Sequence, residues 1–374
     1  MTDVFDGALY QELCQQEVSA NGKSYPHQYF SGRRDIALGL SLDSFAPFKR
    51  RSNSVWPIIL FNYNLPPDLR THLDNILCYG VIPGPKSPKD VDSFLVPLYD
   101  ELARLPEGVD GVLNLSAEEF FVLHTYLILL FGNMPAISKL LMMKGHNGHC
   151  PCRYCKIRGV RIPGEKVNYF PLHREDETYD PRSLLCRHHH QFIEQAKRII
   201  GAETVAESDQ LSRKYGIKGL PGLFLLGSVQ FPASFPFNFM HLIFENLVPN
   251  LIRHHTGDFK GLDAGVETYI LPKNVWEAIA GAAARSGDTI PSEFGAQMPN
   301  LCTERSNMTA ETWSTWISYL GPVLMQARFS KPIYYKHFLK LSQLVCLCMS
   351  YKMKRSDVKL IQNGFAEWVQ EYEK

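Results

Sequence analysis

Hydrophobic and polar positions in the first third of the chain follow two spacings, that of buried strands and that of amphipathic helices. Two short apolar runs, Ile36–Leu42 and Trp56–Tyr63, have the length and the flanking residues of buried strands. Helical spacing of leucines predicts a helix from about residue 68 to 77 and another over residues 91–102. Strands that alternate with helices are typical of an α/β sheet, which we expect over residues 35–145.

Turn and capping signals give the remaining local predictions. Gly80–Pro88 is rich in glycine and proline and predicts an ordered loop. Ser116 precedes two glutamates and predicts the start of a helix, whereas Leu127–Phe131 fits either the end of that helix or a buried strand. Residues 1–34 are weakly patterned and predict an irregular lead-in, and residues 201–374 have a mainly helical pattern.

Composition narrows the class of protein. The chain has 374 residues, of which 45% are hydrophobic, and a formal net charge of +1, so neither an acidic solvating protein nor a polycation is expected. Nine cysteines, an odd number, together with a first segment unlike a signal peptide, argue against a disulfide framework. The longest apolar run, Tyr126–Phe131, is far below the ~20 residues of a membrane span. We expect a nuclear or cytoplasmic protein with no membrane partner.

The segment His146–Cys155 is the densest in metal-binding side chains. Within it, Cys152 and Cys155 have the Cys-x-x-Cys spacing that brings two thiolates to one zinc ion at about 2.3 Å. A redox pair is the alternative, but such a pair normally opens a helix directly after a strand, and this pair follows a Gly/His-rich loop. The residues alone leave the second pair of zinc ligands open among His146, His149, Cys150, His173, Cys186, His188, His189, His190 and His241.

Several segments with distinctive sequences follow one another in a fixed order. They are Leu38–Phe45, Trp56–Leu60, Tyr63–Pro67, Val81–Leu95, Met134–Lys139, Lys144–Cys155 and Phe239–Leu247. Their order resembles that of fungal CACTA-type (EnSpm-like, Plavaka) DNA transposases, over roughly residues 33–345. By its position after a strand, Asp43 is either a metal ligand or an ordinary capping residue. The resemblance favours the role of metal ligand.

The resemblance implies an α/β fold with an RNase H-like core, interrupted by a Cys/His-containing insertion over residues 146–200 and followed by a largely helical region. Such cores hold two Mg²⁺ or Mn²⁺ ions about 3.5–4 Å apart between three acidic side chains. Asp43 matches the first acidic position. The second position is Asn133, where the family usually has aspartate, and the aromatic-Pro-Met-Glu-Arg motif of the third acid does not occur.

These departures predict a degenerate copy, truncated before the end of the catalytic core. An asparagine offers one neutral oxygen where aspartate supplies a full negative charge, so the metal pair should bind poorly. We therefore expect a protein related to cut-and-paste DNA transposition that does not cut or join DNA in this form. The resemblance further implies double-stranded DNA, the transposon ends, as the partner, and is compatible with a homo-oligomer.

The same resemblance assigns candidate zinc ligands. In this family the Cys-x-x-Cys pair belongs to the insertion and matches Cys152 and Cys155. His189 matches the histidine of a recurring Arg-x-His-x-x-Phe segment, and His241 matches that of an Asp-x-x-His segment in which this chain has Asn238. For either histidine, a hydrogen-bonded core residue is an equally good interpretation.

Two other functions stay open. One is an active strand-transfer enzyme that uses substitute acids, Asp90 or Asp92, and the other is a zinc-stabilised module that binds DNA or protein.

Trp313 and Trp316, three residues apart, are predicted to pack within a helix rather than stack on bases. The basic residues that could contact phosphates are Lys49, Arg50, Arg51, Arg153, Lys156, Arg158, Arg161, Lys352, Lys354 and Arg355.

Overall fold

The chain forms two compact units in a computed structural model. The model describes residues 1–47, 54–84, 86–161, 164, 168–175, 177–259, 266–291 and 295–374. The first unit comprises Met1–Pro171 and Leu184–Phe237, and the second comprises Leu172–Ser183 and Asn238–Lys374. None of the helices in these described ranges is both long and apolar enough to cross a membrane.

The first unit contains both strands and helices. In chain order they are α1 (Ala8–Leu13), β1 (Glu17–Ala20), β2 (Lys23–Gln28), β3 (Ile36–Leu42), β4 (Val55–Asn62), β5 (Leu77–Pro83), α2 (Asp92–Arg104), β6 (Val109–Asn114), β7 (Glu119–Leu123), β8 (Thr125–Phe131), α3 (Met134–Leu140), β9 (Val160–Arg161), β10 (Asn168–Tyr169), α4 (His189–Ile200) and α5 (Val205–Tyr215). The mixed α/β architecture expected from the sequence is confirmed.

A four-stranded mixed sheet with the order β5-β4-β3-β8 lies at the centre of this unit. β4 is antiparallel to both β3 and β5, whereas β8 runs parallel to β3. Both strands predicted from apolar runs are confirmed, and Leu127–Phe131 is resolved as a strand because it pairs with β3. β3 is buried along almost its whole length, as a near-continuous apolar run predicts for a strand covered on both faces.

Side chains from α2, α3 and α4 cover the sheet. The helix predicted over residues 91–102 is confirmed as α2, whose buried face carries Leu95, Leu98 and Leu102. These leucines form one hydrophobic core with Leu40 of β3 and Leu130 of β8, both of which are fully buried. The core therefore fixes the middle of the sheet and leaves the strand ends available for polar side chains.

Two local predictions between residues 68 and 88 are wrong. The predicted helix from about residue 68 to 77 is replaced by turns and the start of β5, because Leu69, Leu73 and Leu77 are 41%, 89% and 55% exposed and have no core to cover. The predicted loop over Gly80–Pro88 begins as the second half of β5, paired with β4. The spacing of the leucines is compatible with a helix, but the backbone groups of β5 find their hydrogen-bond partners in β4.

The helix predicted to start at Ser116 is also wrong. The side chain of Asn114 accepts hydrogen bonds from the amides of Ser116 and Ala117, at 3.0 and 3.3 Å, and closes the hairpin of β6 and β7 instead. Residues 1–34, predicted to be irregular, contain α1 and the hairpin of β1 and β2. In both places a short polar turn decides the structure.

The second unit is helical, as the sequence predicts. Its helices are α6 (Val248–His255), α7 (Lys273–Arg285), α8 (Ala310–Thr315), α9 (Gly321–Leu324), α10 (Pro332–Cys348) and α11 (Arg355–Tyr372), and π-helical turns occupy Met240–Leu247 and Trp316–Leu320. Trp313 and Trp316 are 5% and 0% exposed, and Trp316 packs edge-on against Trp276 with the ring centroids 5.9 Å apart. The prediction that both tryptophans pack within the helical region is confirmed.

Replacement of Leu40 tests the position of the core. Leu40→Ala should lower the free energy of unfolding by about 2–5 kcal/mol, because it removes a fully buried side chain from the centre of the sheet. The matched control, Leu73→Ala, removes a leucine that is 89% exposed and should change it by no more than about 0.5 kcal/mol. Urea denaturation followed by circular dichroism measures both. Equal losses in the two variants would contradict the corrected assignment of residues 68–77.

Candidate functional site

The carboxyl ends of β3 and β8 form a polar edge of the sheet. Because the two strands are parallel neighbours, with Ser41 opposite Phe131, the chain leaves them side by side at Asp43 and Asn133. The side-chain amide of Asn133 donates a hydrogen bond to Oδ1 of Asp43. The structure thus brings together the two positions that the sequence pointed to, although 90 residues separate them along the chain.

Local backbone geometry fixes both side chains. Asn133 is the N-cap of α3, and its Oδ1 accepts a hydrogen bond from the amide of Ala136 at 2.9 Å. Oδ1 of Asp43 also accepts from the amide of Ser44, at 2.7 Å. Gly132 is required between β8 and the cap, because a Cβ there would overlap the carbonyl oxygen of Leu42. The two side chains are therefore held at a close approach of two strand ends.

This pair is a poor metal site as it stands. Asp43 supplies one carboxylate, and Asn133 presents an N–H donor to it while its oxygen caps α3. A divalent cation needs oxygen acceptors, preferably anionic ones. Within the ranges that the structure describes, no group of three or more His, Cys, Asp or Glu side chains is arranged to hold a metal ion.

Asp92, the substitute acid considered from the sequence, has a structural role in the first turn of α2. Its Oδ1 accepts a hydrogen bond from the hydroxyl of Tyr99 and its Oδ2 accepts one from the amide of Gly222, both at 2.9 Å. Burial raises the pKa of this carboxyl. Asp90 in turn accepts a hydrogen bond from the amide of Asp92 at 3.0 Å. These contacts anchor α2 and engage both oxygens of Asp92.

The cysteine pair lies in a tight turn of the first unit. Sγ of Cys152 accepts hydrogen bonds from the amides of Tyr154 and Cys155, each at 3.4 Å. A further hydrogen bond from the thiol of Cys155 lowers the pKa of Cys152 to about 6, and the same bond, together with burial, raises the pKa of Cys155. Two cysteines in one turn, one of whose sulfur atoms accepts two amide hydrogen bonds, are the residue types that a soft metal ion prefers.

The two candidate histidines lie in different units. His189 begins α4 in the first unit, where its Nδ1 accepts a hydrogen bond from the amide of Phe231 at 2.9 Å and its ring packs on Phe224. Burial lowers the pKa of His189. His241 lies in the second unit, with Nε2 3.5 Å from a carboxylate oxygen of Glu245. His189 therefore makes the contacts of a hydrogen-bonded core residue, the alternative interpretation of the sequence.

One of the predicted phosphate contacts is wrong. Arg153 is buried, where Nε and Nη2 donate to the carbonyl oxygens of Phe235 and Pro236 at 2.8 and 2.7 Å. Lys156 is half-buried and binds Gln191. Lys49, Arg50 and Arg51 lie outside the described residues. The basic candidates that remain exposed are Arg158, Arg161, Lys352, Lys354 and Arg355.

Arg187 is the residue of this region that sequence reasoning missed. It is 4% exposed, and its Nε donates to the carbonyl oxygens of Cys152 and Cys155 at 2.8 and 3.3 Å. Its Nη2 donates to the carbonyl oxygen of Cys150 at 3.1 Å. Its place as the arginine of the recurring Arg-x-His-x-x-Phe segment was the available signal. A single buried guanidinium thus organises the cysteine-rich turn.

Residues 19–200, just under half of the chain, match the model of Transposase family tnp2. The matched range includes Asp43, Asn133, the cysteine pair and Arg187. No curated protein matches the chain. The family match supports a transposase-related protein and suggests DNA binding in general.

Restoring a carboxylate at residue 133 tests the polar edge. Asn133→Asp keeps a good N-cap for α3 and places a second carboxylate beside Asp43. The variant should be less stable than the wild type without metal, because two carboxylates in contact repel each other, and should gain stability with Mn²⁺. Differential scanning fluorimetry across a Mn²⁺ titration measures the gain.

The control for this prediction is Asn133→Ser, which also caps a helix but adds no charge. Its melting temperature should not respond to Mn²⁺ more than that of the wild type. An equal Mn²⁺ response in the aspartate and serine variants would show that residue 133 does not contribute to a metal site.

Proposed function

We propose that the chain is a CACTA-type transposase derivative with an RNase H-like core that binds DNA but does not cut or join it in this form. The observation that carries the proposal is the contact between Asp43 and Asn133 at adjacent strand ends. An RNase H-like site needs its first two acidic positions side by side, and the parallel pairing of β3 and β8 supplies that arrangement. The match to Transposase family tnp2 over the same strands supports it.

Absence of catalysis follows from the charge at this edge. Attack on a phosphodiester by an anionic oxygen requires two dications, and these need several carboxylates to anchor them. Here one carboxylate faces an amide N–H. Mg²⁺ or Mn²⁺ should therefore bind weakly, with Asp43 as the main ligand. The rival proposal, an active enzyme that uses Asp92, is less well supported because both oxygens of Asp92 are engaged in anchoring α2.

Zinc is proposed as a structural ion at Cys152 and Cys155. Its support is the pair of amide hydrogen bonds to Sγ of Cys152, which orient the sulfur and stabilise its negative charge. Such an ion would stabilise a part of the chain that has little regular structure, since Met142–His188 contains only the short strands β9 and β10 among its described residues. A nuclear location follows from the proposal of a DNA partner.

A cleavage assay tests the proposed lack of catalysis. The full chain, incubated with supercoiled plasmid DNA and either Mg²⁺ or Mn²⁺, should produce no nicked or linear product above that of Asp43→Ala. The physical reason is that the carboxylate of Asp43 faces the amide of Asn133 rather than a second carboxylate. Product formed by the wild type and lost in Asp43→Ala would overturn the inactive assignment and favour an active enzyme.

Salt-dependent binding tests the DNA partner. Affinity for a mixed-sequence duplex, followed by fluorescence anisotropy, should fall linearly with the logarithm of the salt concentration. Replacing both Arg158 and Arg161 by alanine should reduce the slope by about 0.9 for each phosphate that the variant no longer neutralises. The matched control is Arg198→Ala, an exposed arginine of α4 in the same unit. Binding that is absent, or that does not respond to salt, would contradict the proposal.

A further inference from the structure

We propose that a ring-lined cavity in the second unit, between α6, α10 and α11, binds a single nucleobase. The inference rests on the DNA partner proposed above and names the part of the nucleic acid that this unit would recognise. The cavity has a volume of about 820 Å³, within the range of roughly 300–1,000 Å³ that is typical of sites for small ligands. The rings that define this aromatic cavity are those of His254, His255, Tyr269, Tyr334, His337 and Tyr372.

Hydrogen bonds and ring contacts hold the walls of the aromatic cavity in place. The hydroxyl of Tyr372 lies 2.6 Å from Nε2 of His254, and the hydroxyl of Tyr334 lies 2.5 Å from Oγ1 of Thr268. Tyr269 packs edge-on against Tyr334, with the ring centroids 6.0 Å apart. Rings that are already ordered lose little freedom when a ligand binds, so the cavity is preorganised for a flat ligand.

His255 gives the aromatic cavity a neutral hydrogen-bonding group. The residue is 4% exposed, and its ring packs against Phe329 and Phe338 with centroid distances of 4.9 and 6.2 Å. Burial lowers the pKa of His255 to about 3, so the ring is uncharged at physiological pH. Its Nδ1 has no hydrogen-bond partner in the part of the chain that the structure describes. Since a neutral imidazole has one donor and one acceptor, part of this capacity is unused.

The charges around the aromatic cavity favour an uncharged ligand. Two lysines and two glutamates also line it, namely Lys331, Lys374, Glu267 and Glu371. Positive and negative side chains are thus equal in number. A nucleobase is flat, is uncharged at neutral pH and carries donors and acceptors along its edge. It therefore suits ring-lined walls that include a neutral imidazole better than an ion does.

Stacking also decides which state of the nucleic acid can enter. A base inside a duplex is paired and stacked on its neighbours, so it cannot reach a cavity of this kind without leaving the helix. Stacking of an unpaired base on aromatic side chains is the usual way in which proteins bind single strands. We therefore expect the aromatic cavity to take a base from an unpaired strand, and a free nucleoside offers the same ring chemistry.

Fluorescence of 2-aminopurine tests the inference on the full chain. This analogue of adenine loses emission when it stacks on an aromatic ring. One arm uses a single strand of thymidines with one central 2-aminopurine, and the other uses the free 2-aminopurine deoxyribonucleoside. Saturable quenching in the strand arm alone would assign the base to a nucleic acid strand. Equal affinity in both arms would assign it to a free nucleoside.

Ring and nitrogen variants locate the bound base. Tyr334→Ala should weaken binding of the probe by about five- to a hundredfold, the effect of losing one stacking ring, whereas Tyr334→Phe keeps the ring and should retain most of the affinity. His255→Phe removes only the ring nitrogens and should weaken binding by about two- to tenfold. The matched control is Tyr351→Ala, which removes a tyrosine of the same unit that is 97% exposed. Its affinity should equal that of the wild type.

The outcomes separate this inference from the proposal on which it rests. Absence of quenching in both arms would overturn the inference, and duplex binding seen by anisotropy in the same preparation would leave the DNA partner intact. Quenching by the free nucleoside without any DNA binding would overturn the DNA partner alone. Quenching that survives Tyr334→Ala and is lost in Tyr351→Ala would place the base outside the aromatic cavity.

A thermal measurement covers variants that fold poorly. Saturating probe should raise the melting temperature of the wild type, of Tyr334→Phe and of Tyr351→Ala by the same amount, because each keeps the rings of the aromatic cavity. A smaller rise in Tyr351→Ala than in Tyr334→Phe would contradict the assignment of the base to the cavity.

Discussion

The parallel pairing of β3 with β8 is the interaction on which the candidate active site depends. Parallel neighbours end at the same edge of a sheet, so side chains that follow the two strands meet there even when a long stretch of sequence separates them. Asp43 and Asn133 meet in this way, and Gly132 allows the close approach. The hydrophobic core of Leu40, Leu130 and α2 holds the strands in register. Chemistry at this edge is then decided by one residue, because the geometry is compatible with aspartate or asparagine at position 133.

A second constraint governs the cysteine-rich region, where little regular structure is present to satisfy backbone polar groups. Arg187 satisfies three carbonyl oxygens at once, and Arg153 satisfies two more. Buried arginines therefore perform here the role that strands and helices perform elsewhere. Arg153 is unavailable to DNA because its guanidinium donates to these buried carbonyl oxygens, although its place in a basic segment suggested a phosphate contact.

The buried strands β3 and β4 and the amphipathic helix α2 were the most predictable elements of the fold. β3 and β4 follow from continuous apolar runs, and α2 follows from leucines at helical spacing, because each pattern matches a surface that the structure buries. The predictions were wrong where a local sequence pattern fits more than one structure. Helical spacing in residues 68–77 had no core to face, and the polar turn after Asn114 used a capping pattern to close a hairpin. Asn21 and Gly22, both at positive φ in the turn between β1 and β2, were a usable hairpin signal that the weak pattern of residues 1–34 obscured.

The sequence by itself determined which residues could take part in chemistry: a carboxylate after a strand, an asparagine where a second acid is expected, and a Cys-x-x-Cys pair. It could do so because residue type and local spacing are properties of neighbouring positions. Only the tertiary structure decided which of these residues meet. Strand pairing brought Asp43 to Asn133, and an antiparallel bridge between two distant segments placed Cys186 opposite Cys155. Burial assigned His189 and Arg153 to hydrogen bonds with the backbone. Contacts of this kind depend on packing between distant segments, which no local pattern encodes.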